Sequence, residues 1–186
     1  MLALGLDPIE AEIRQVYFFD TPDLALDAAG VVARARRIQG GTADTVIKLR
    51  PVVPEELPKD IRRSGSIKVE VELMPGKFVA SASMKGKSDS DDVLKTVAGN
   101  LEITELLTKE QREFFNSYAP DGLILSDLVH LGPILTLKLK FPEKELGRDL
   151  VAMPGFTLII HASSSYPRSA SRMRRFRSRL RQGVFF

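Results

Sequence analysis

The stretch "VVARARRIQGGTADTVIKLRPV", residues 31–52, decides how this chain is read. Up to Ile38, small or apolar residues alternate with Arg34 and Arg36. From Thr45 to Arg50, apolar residues alternate with Lys48 and Arg50. A period of two predicts strands, and the glycine-rich "QGGTAD" (39–44) between them predicts an antiparallel hairpin over 31–38 and 45–50. Arg34 and Arg36 then share one face of the first strand, and Lys48 and Arg50 one face of the second.

Further elements follow outward from this hairpin. Upstream, "EIRQVYFFD" (12–20) predicts a strand that stops at "DTPD", where Pro22 presets φ and short polar side chains favour a turn. Leu24–Gly30 is a short helical turn or loop closed by glycine. Downstream, "PVVPEELPKDIRRSGS" (51–66) is a proline-broken loop. "IKVEVEL" (67–73) then alternates Ile67, Val69, Val71 and Leu73 with Lys68, Glu70 and Glu72.

Residues 90–119 read as two or three helices, with a capping box at Thr108–Gln111 and Leu106, Phe114 and Phe115 as helix-core residues. The pattern returns to strand in "LILSDLVHLGPILTLKLKF" (123–141), with Thr136, Lys138 and Lys140 on one face. "FTLIIHA" (156–162) is the last expected strand. The plan is α+β: an antiparallel β-barrel with a helical insert, expected over residues 1–162, followed by a basic tail at 163–186.

Composition narrows the chemistry. The 186 residues carry a formal charge of +3, no Cys and two His. That excludes a disulfide framework, a thiolate nucleophile and a multi-histidine metal site. A metal here would need carboxylates, which select hard ions such as Mg²⁺ or Mn²⁺. Seven Arg and no acid lie between residues 168 and 181. No apolar run approaches the roughly 20 residues that span a bilayer, and the acidic N-terminal stretch is unlike a signal peptide. A cytoplasmic protein with no membrane partner is expected.

Several signals carry little. "GKS" (86–88) lacks the first glycine of a phosphate loop, because Ser81 stands there. His130 and His161 lie in apolar strands and are expected to be packed. Ser163–Ser165 have no His and acid at a recognisable spacing.

The charged faces carry more. Arg34/Arg36, Lys48/Arg50 and Lys138/Lys140 are purely basic, and Lys68/Glu70/Glu72 is mixed. A solvent face explains any one of them. Together they imply repulsion between neighbouring strands, which an anion would offset. A barrel would aim all of them at one lumen. Arg forks and Lys point charges suit a polyphosphate, while Glu70 and Glu72 suit a divalent metal beside it.

At "VYFFDTPDLALDAAGVVARAR" (16–36), "TVIKLRP" (45–51) and "IKVEVEL", the sequence resembles the CYTH domain, or triphosphate tunnel metalloenzyme family. The family includes class IV adenylate cyclases and thiamine, inorganic and RNA triphosphatases. The resemblance implies a charged antiparallel tunnel that binds a triphosphate compound and Mg²⁺ or Mn²⁺. It assigns Arg34, Arg36, Lys48, Arg50, Lys138 and Lys140 to phosphate and Glu70 and Glu72 to metal. Asp20 and Thr21 belong to the family's turn and read as structural. The catalytic residues are unknown.

The chain departs from the pattern at both ends. The family opens with a Glu-x-Glu-x-Lys strand a few tens of residues before this turn, but only sixteen residues precede Tyr17. Glu10, Glu12 and Arg14 imitate it in what should be the second strand, so Glu10 and Glu12 are candidate further metal ligands. The tunnel is expected to be incomplete, and an unpaired edge would favour a homodimer. The end of the chain lacks the family's last carboxylate strand, and its composition changes abruptly near residue 150.

The expected activity is metal-dependent hydrolysis of a triphosphate compound. A class IV-type adenylate cyclase and a non-catalytic polyphosphate- or nucleotide-binding module are the alternatives. Nucleic acid is a partner only through the basic tail. Replacing Arg36 with Ala is expected to weaken triphosphate binding and leave the fold intact.

Overall fold

The hairpin forms, with a tighter turn than its sequence suggests. In the computed structural model, β2 (Val31–Ile38) and β3 (Thr42–Leu49) are joined through Gln39, Gly40 and Gly41. Gly40 and Gly41 have φ of 94° and 91°, a region open to glycine at no steric cost. Asp44, expected in the turn, therefore enters the strand and sits opposite Arg36.

The structure describes residues 11–63, 65–74, 77–143, 148–152 and 155–157. Before the hairpin come β1 (Glu12–Asp20) and α1 (Ala25–Ala28). After it come α2 (Lys59–Arg63), β4 (Ile67–Met74) and β5 (Lys77–Asp89). The helical insert holds α3 (Ser90–Val97), α4 (Ile103–Leu106), α5 (Lys109–Tyr118) and a 3₁₀ turn at Leu125–Asp127. Then follow β6 (Val129–Glu143), β7 (Arg148–Ala152) and β8 (Gly155–Thr157). Most of the expected last strand, with His161 and the tail from 163 to 186, lies outside the described residues.

The strand order is β4–β5–β3–β2–β1–β6–β7, with β8 also pairing with β6, and every pairing is antiparallel. Among the described residues no pairing joins β4 back to β7. The observed architecture is an α+β fold with an open antiparallel sheet, a partial barrel in place of a closed one.

One sheet face carries the core. Val31, Ala33 and Ala35 of β2 and Ile47 of β3 are buried with Met84 of β5 under Val93, Phe114 and Phe115 of the helices. Each fully buried large side chain contributes roughly 1.5–3 kcal/mol. The α5 helix starts at Thr108, whose hydroxyl accepts from the Gln111 N–H while Gln111 Oε1 accepts from the Thr108 N–H. The same Gln111 oxygen accepts from Thr45 Oγ1 at 2.9 Å, and Nε2 donates to the Met84 carbonyl at 3.2 Å. Thus the helix cap is also the bolt that fastens α5 to β3 and β5.

Two sequence signals are settled by this packing. A Cβ on Gly86 would collide with Gln111 Oε1 and lie 2.7 Å from Thr45 Oγ1. The glycine of "GKS" is therefore a packing glycine beneath a helix. His130, expected to be packed, is exposed on β6, where it pairs with Phe19 of β1.

Candidate anion-binding face

Side chains alternate across a strand, so residues next to the buried core positions point the other way. Strand register brings these alternates together. Arg36 lies opposite Val16 on one side and Asp44 on the other. Arg34 lies opposite Phe18 and Val46. Lys48 lies opposite Val32 and Ser83, and Ser83 is opposite Lys68. Val46 and Asp44 are opposite Lys85 and Lys87. Across β1, Arg14 is opposite Thr136, and Glu12 opposite Lys138. One face of six adjacent strands thus gathers Arg14, Arg34, Arg36, Lys48, Lys68, Lys85, Lys87 and Lys138 with Glu12, Asp44 and Glu70.

The structure positions the expected residues unequally. Arg34, Arg36, Lys48 and Lys138 share the face as the alternation suggested. Arg50 lies one residue past β3, where its N–H donates to the Gly30 carbonyl at 2.8 Å. Gly30 has φ of 72°, and a Cβ there would come within 2.7 Å of the Arg50 carbonyl oxygen. That close approach needs glycine and ties Arg50 to the base of the hairpin. Lys140 pairs with Val151, and Glu72 with Val79, at the backbone level. Their side chains and Glu10 lie outside the described residues.

The carboxylates of this face hold neighbouring cations. Asp44 is buried, with Oδ1 2.7 Å from Arg36 Nε and Oδ2 2.6 Å from Arg36 NH2. Lys85 Nζ lies 3.1 Å from the same Oδ2. Burial alone would raise the Asp44 pKa. Arg36 and then Lys85 outweigh it, so the carboxyl is held below its ordinary range. Glu12 Oε1 lies 2.5 Å from Arg14, and Glu70 Oε1 2.5 Å from Lys68 Nζ.

Among the described residues no group of three or more His, Asp and Glu could hold a metal ion. On this face Glu12, Asp44 and Glu70 each form an ion pair with a neighbouring cation.

Sequence reading missed Asp44, Lys85 and Lys87 as members of this face. Arg14 was legible from alternation with Glu12. Lys85 and Lys87 lie in β5, where Ala80, Ala82, Met84 and Gly86 alternate with Ser81, Ser83, Lys85 and Lys87, a weak signal because most of the apolar members are small.

Asp20 does what its turn signature suggested. Its carboxylate accepts from the backbone N–H groups of Thr21 (2.7 Å), Leu26 (2.9 Å) and Asp27 (3.0 Å), which pins α1 against the sheet. Burial pushes its pKa up against these bonds. It is a structural residue.

No family model matches the chain, and no curated protein matches it. Among solved structures it is similar to HpAC1 from Hippeastrum, described as a candidate adenylyl cyclase with a dominant triphosphatase activity. That likeness has 14% identity and a TM-score of 0.55, and covers 83% of this chain and 65% of the other. The chain thus spans less than two thirds of the Hippeastrum protein. It is also similar to a candidate adenylate cyclase from Bacillus halodurans, at 11% identity and a TM-score of 0.57, over 97% of this chain and 79% of that one. At these identities the likeness is one of fold. Among the described residues no helix is long and apolar enough to cross a membrane.

Proposed function

We propose that this protein binds a triphosphate compound on the charged face of its sheet and hydrolyses it. The observation that carries the reading is the convergence of eight Lys and Arg from six strands on one face opposite the helices. Like charges so placed repel, and an anion among them would offset that repulsion. A phosphate chain is the anion that forked Arg and mobile Lys donors suit. Fold likeness to a protein with triphosphatase activity and the CYTH resemblance of residues 16–73 point the same way.

Arg34, Lys48 and Lys138 would hold phosphate oxygens, with Arg36 fixed beside them by Asp44. Water would attack the terminal phosphorus in line with the leaving oxygen. Phosphoryl transfer needs little covalent help from protein, so fixed cations that stabilise the charge of the transition state do most of the work. A divalent ion, Mg²⁺ or Mn²⁺, belongs to the resemblance, with Glu70, Glu72 and the Glu10/Glu12 pair as its proposed ligands.

Phosphate release from inorganic triphosphate, measured with Mg²⁺, Mn²⁺ or EDTA, tests the reading. Metal-dependent release that falls in Glu70→Gln is expected. Triphosphate that neither turns over nor shifts the thermal midpoint would overturn it. A second reading, cyclisation of ATP, is favoured by the description of both structural neighbours as candidate cyclases. Cyclic AMP from ATP without release of inorganic phosphate from triphosphate would select it.

A further inference from the structure

Asp44 is held by two cations in different ways. Arg36 grips it with two parallel hydrogen bonds, and their side chains are only 12% and 4% exposed. Lys85 reaches it from β5 through one contact of 3.1 Å, with its side chain 62% exposed. Parting a buried, forked pair leaves a carboxylate without its partner in low dielectric. Parting an exposed ammonium from a carboxylate that keeps its arginine costs little, because water takes the ammonium at once.

Position adds to this. Lys85 lies directly across from Val46, and Val46 directly across from Arg34. Lys85 and Arg34 therefore belong to one row across the charged face, with a small apolar residue between them. An anion resting over Val46 would lie between the two cations.

We propose that Lys85 is a binding residue for the phosphate chain and that Asp44 is its resting counter-ion. When the polyanion arrives, Lys85 leaves Asp44 for a phosphate oxygen, and Arg36 stays on Asp44. The exchange keeps Asp44 paired throughout, which is why two cations share one carboxylate. It also keeps Lys85 extended over the face before ligand binds. This inference rests on the phosphate-binding reading above and adds a residue to it.

Calorimetric titration of the full chain with inorganic tripolyphosphate tests it. Lys85→Met keeps the apolar stem and removes the charge. It is expected to weaken binding roughly tenfold or more, the scale of one lost charged hydrogen bond, while leaving the thermal midpoint of the ligand-free protein unchanged. Lys85→Arg is expected to restore binding. Wild-type binding that Lys85→Met leaves untouched would overturn this proposal alone, making Lys85 a surface ion-pair partner. A lowered midpoint with unchanged affinity would do the same. Wild-type protein that binds no tripolyphosphate would overturn this proposal together with the reading beneath it.

Discussion

Arg36 shows how a single residue changes meaning between sequence and structure. From the alternation alone it is a phosphate ligand whose loss should spare the fold. In the structure two of its donors are committed to Asp44, which is buried. Arg36→Ala would leave that carboxylate with only the exposed Lys85, and removing one partner of a buried pair costs about 3–5 kcal/mol. Urea denaturation at neutral pH is expected to show that loss. An unchanged denaturation midpoint would instead bear out the fold-sparing expectation drawn from the sequence.

The pH dependence of the same measurement follows from Asp44. Its folded pKa is lowered from the ordinary 3.8, so its share of stability is full above 3.8 and is lost as pH falls through the lower folded value. That acid limb should be shallower in Arg36→Ala, since the depression is largely Arg36's. Asp20 acts oppositely: its raised pKa makes stability fall as pH rises through the window above 3.8. The two effects separate on the pH axis.

Elements of this fold differ in how loudly their sequences announce them. β2, β3 and β4 carry apolar alternation, and α5 carries a capping box. The thirteen residues of β5, "KFVASASMKGKSD", alternate too, but mostly with Ala and Gly on the apolar side, so the signal is weak. On the helix side they are small where the packing is tight: Gly86 sits against Gln111, and Ala82 is fully buried. A strand built from Ala, Ser and Gly has low intrinsic propensity and stands only because both neighbours pair with it. β5 sits between β3 and β4, and this placement carries Lys85 and Lys87 to the charged face. Gly86→Ala should therefore displace the Gln111 bolt and lower stability by roughly 1–3 kcal/mol, the range for overpacking a tight core. Thermal unfolding monitored by far-UV circular dichroism would show it.

For the molecule as a whole, the open sheet raises the question of what the remaining chain adds. The described strands already unite Arg34, Arg36, Lys48, Lys85 and Lys138 on one face, while the side chain of Lys140 lies outside the described residues. A chain ending at residue 162 is thus expected to bind tripolyphosphate as the full chain does, with the same calorimetric Kd. Single-stranded RNA binding, if the Arg-rich stretch from 168 to 181 supports it, should fall steeply with salt and vanish in that shorter chain. A drop in tripolyphosphate affinity would give the tail a part in the site.

By itself the sequence determined the hairpin, the paired charges on its two strands, the Glu-x-Glu strand and the cap of α5. Each of these is local: periodicity, turn chemistry and capping act within a few residues. Tertiary structure decided that the turn is three residues long, so that Asp44 joins β3 and claims Arg36. It also decided that β5 lies between β3 and β4 and that the described strands stay open. These outcomes depend on register and on which strands meet, and contacts between residues tens of positions apart leave no periodic trace in the chain.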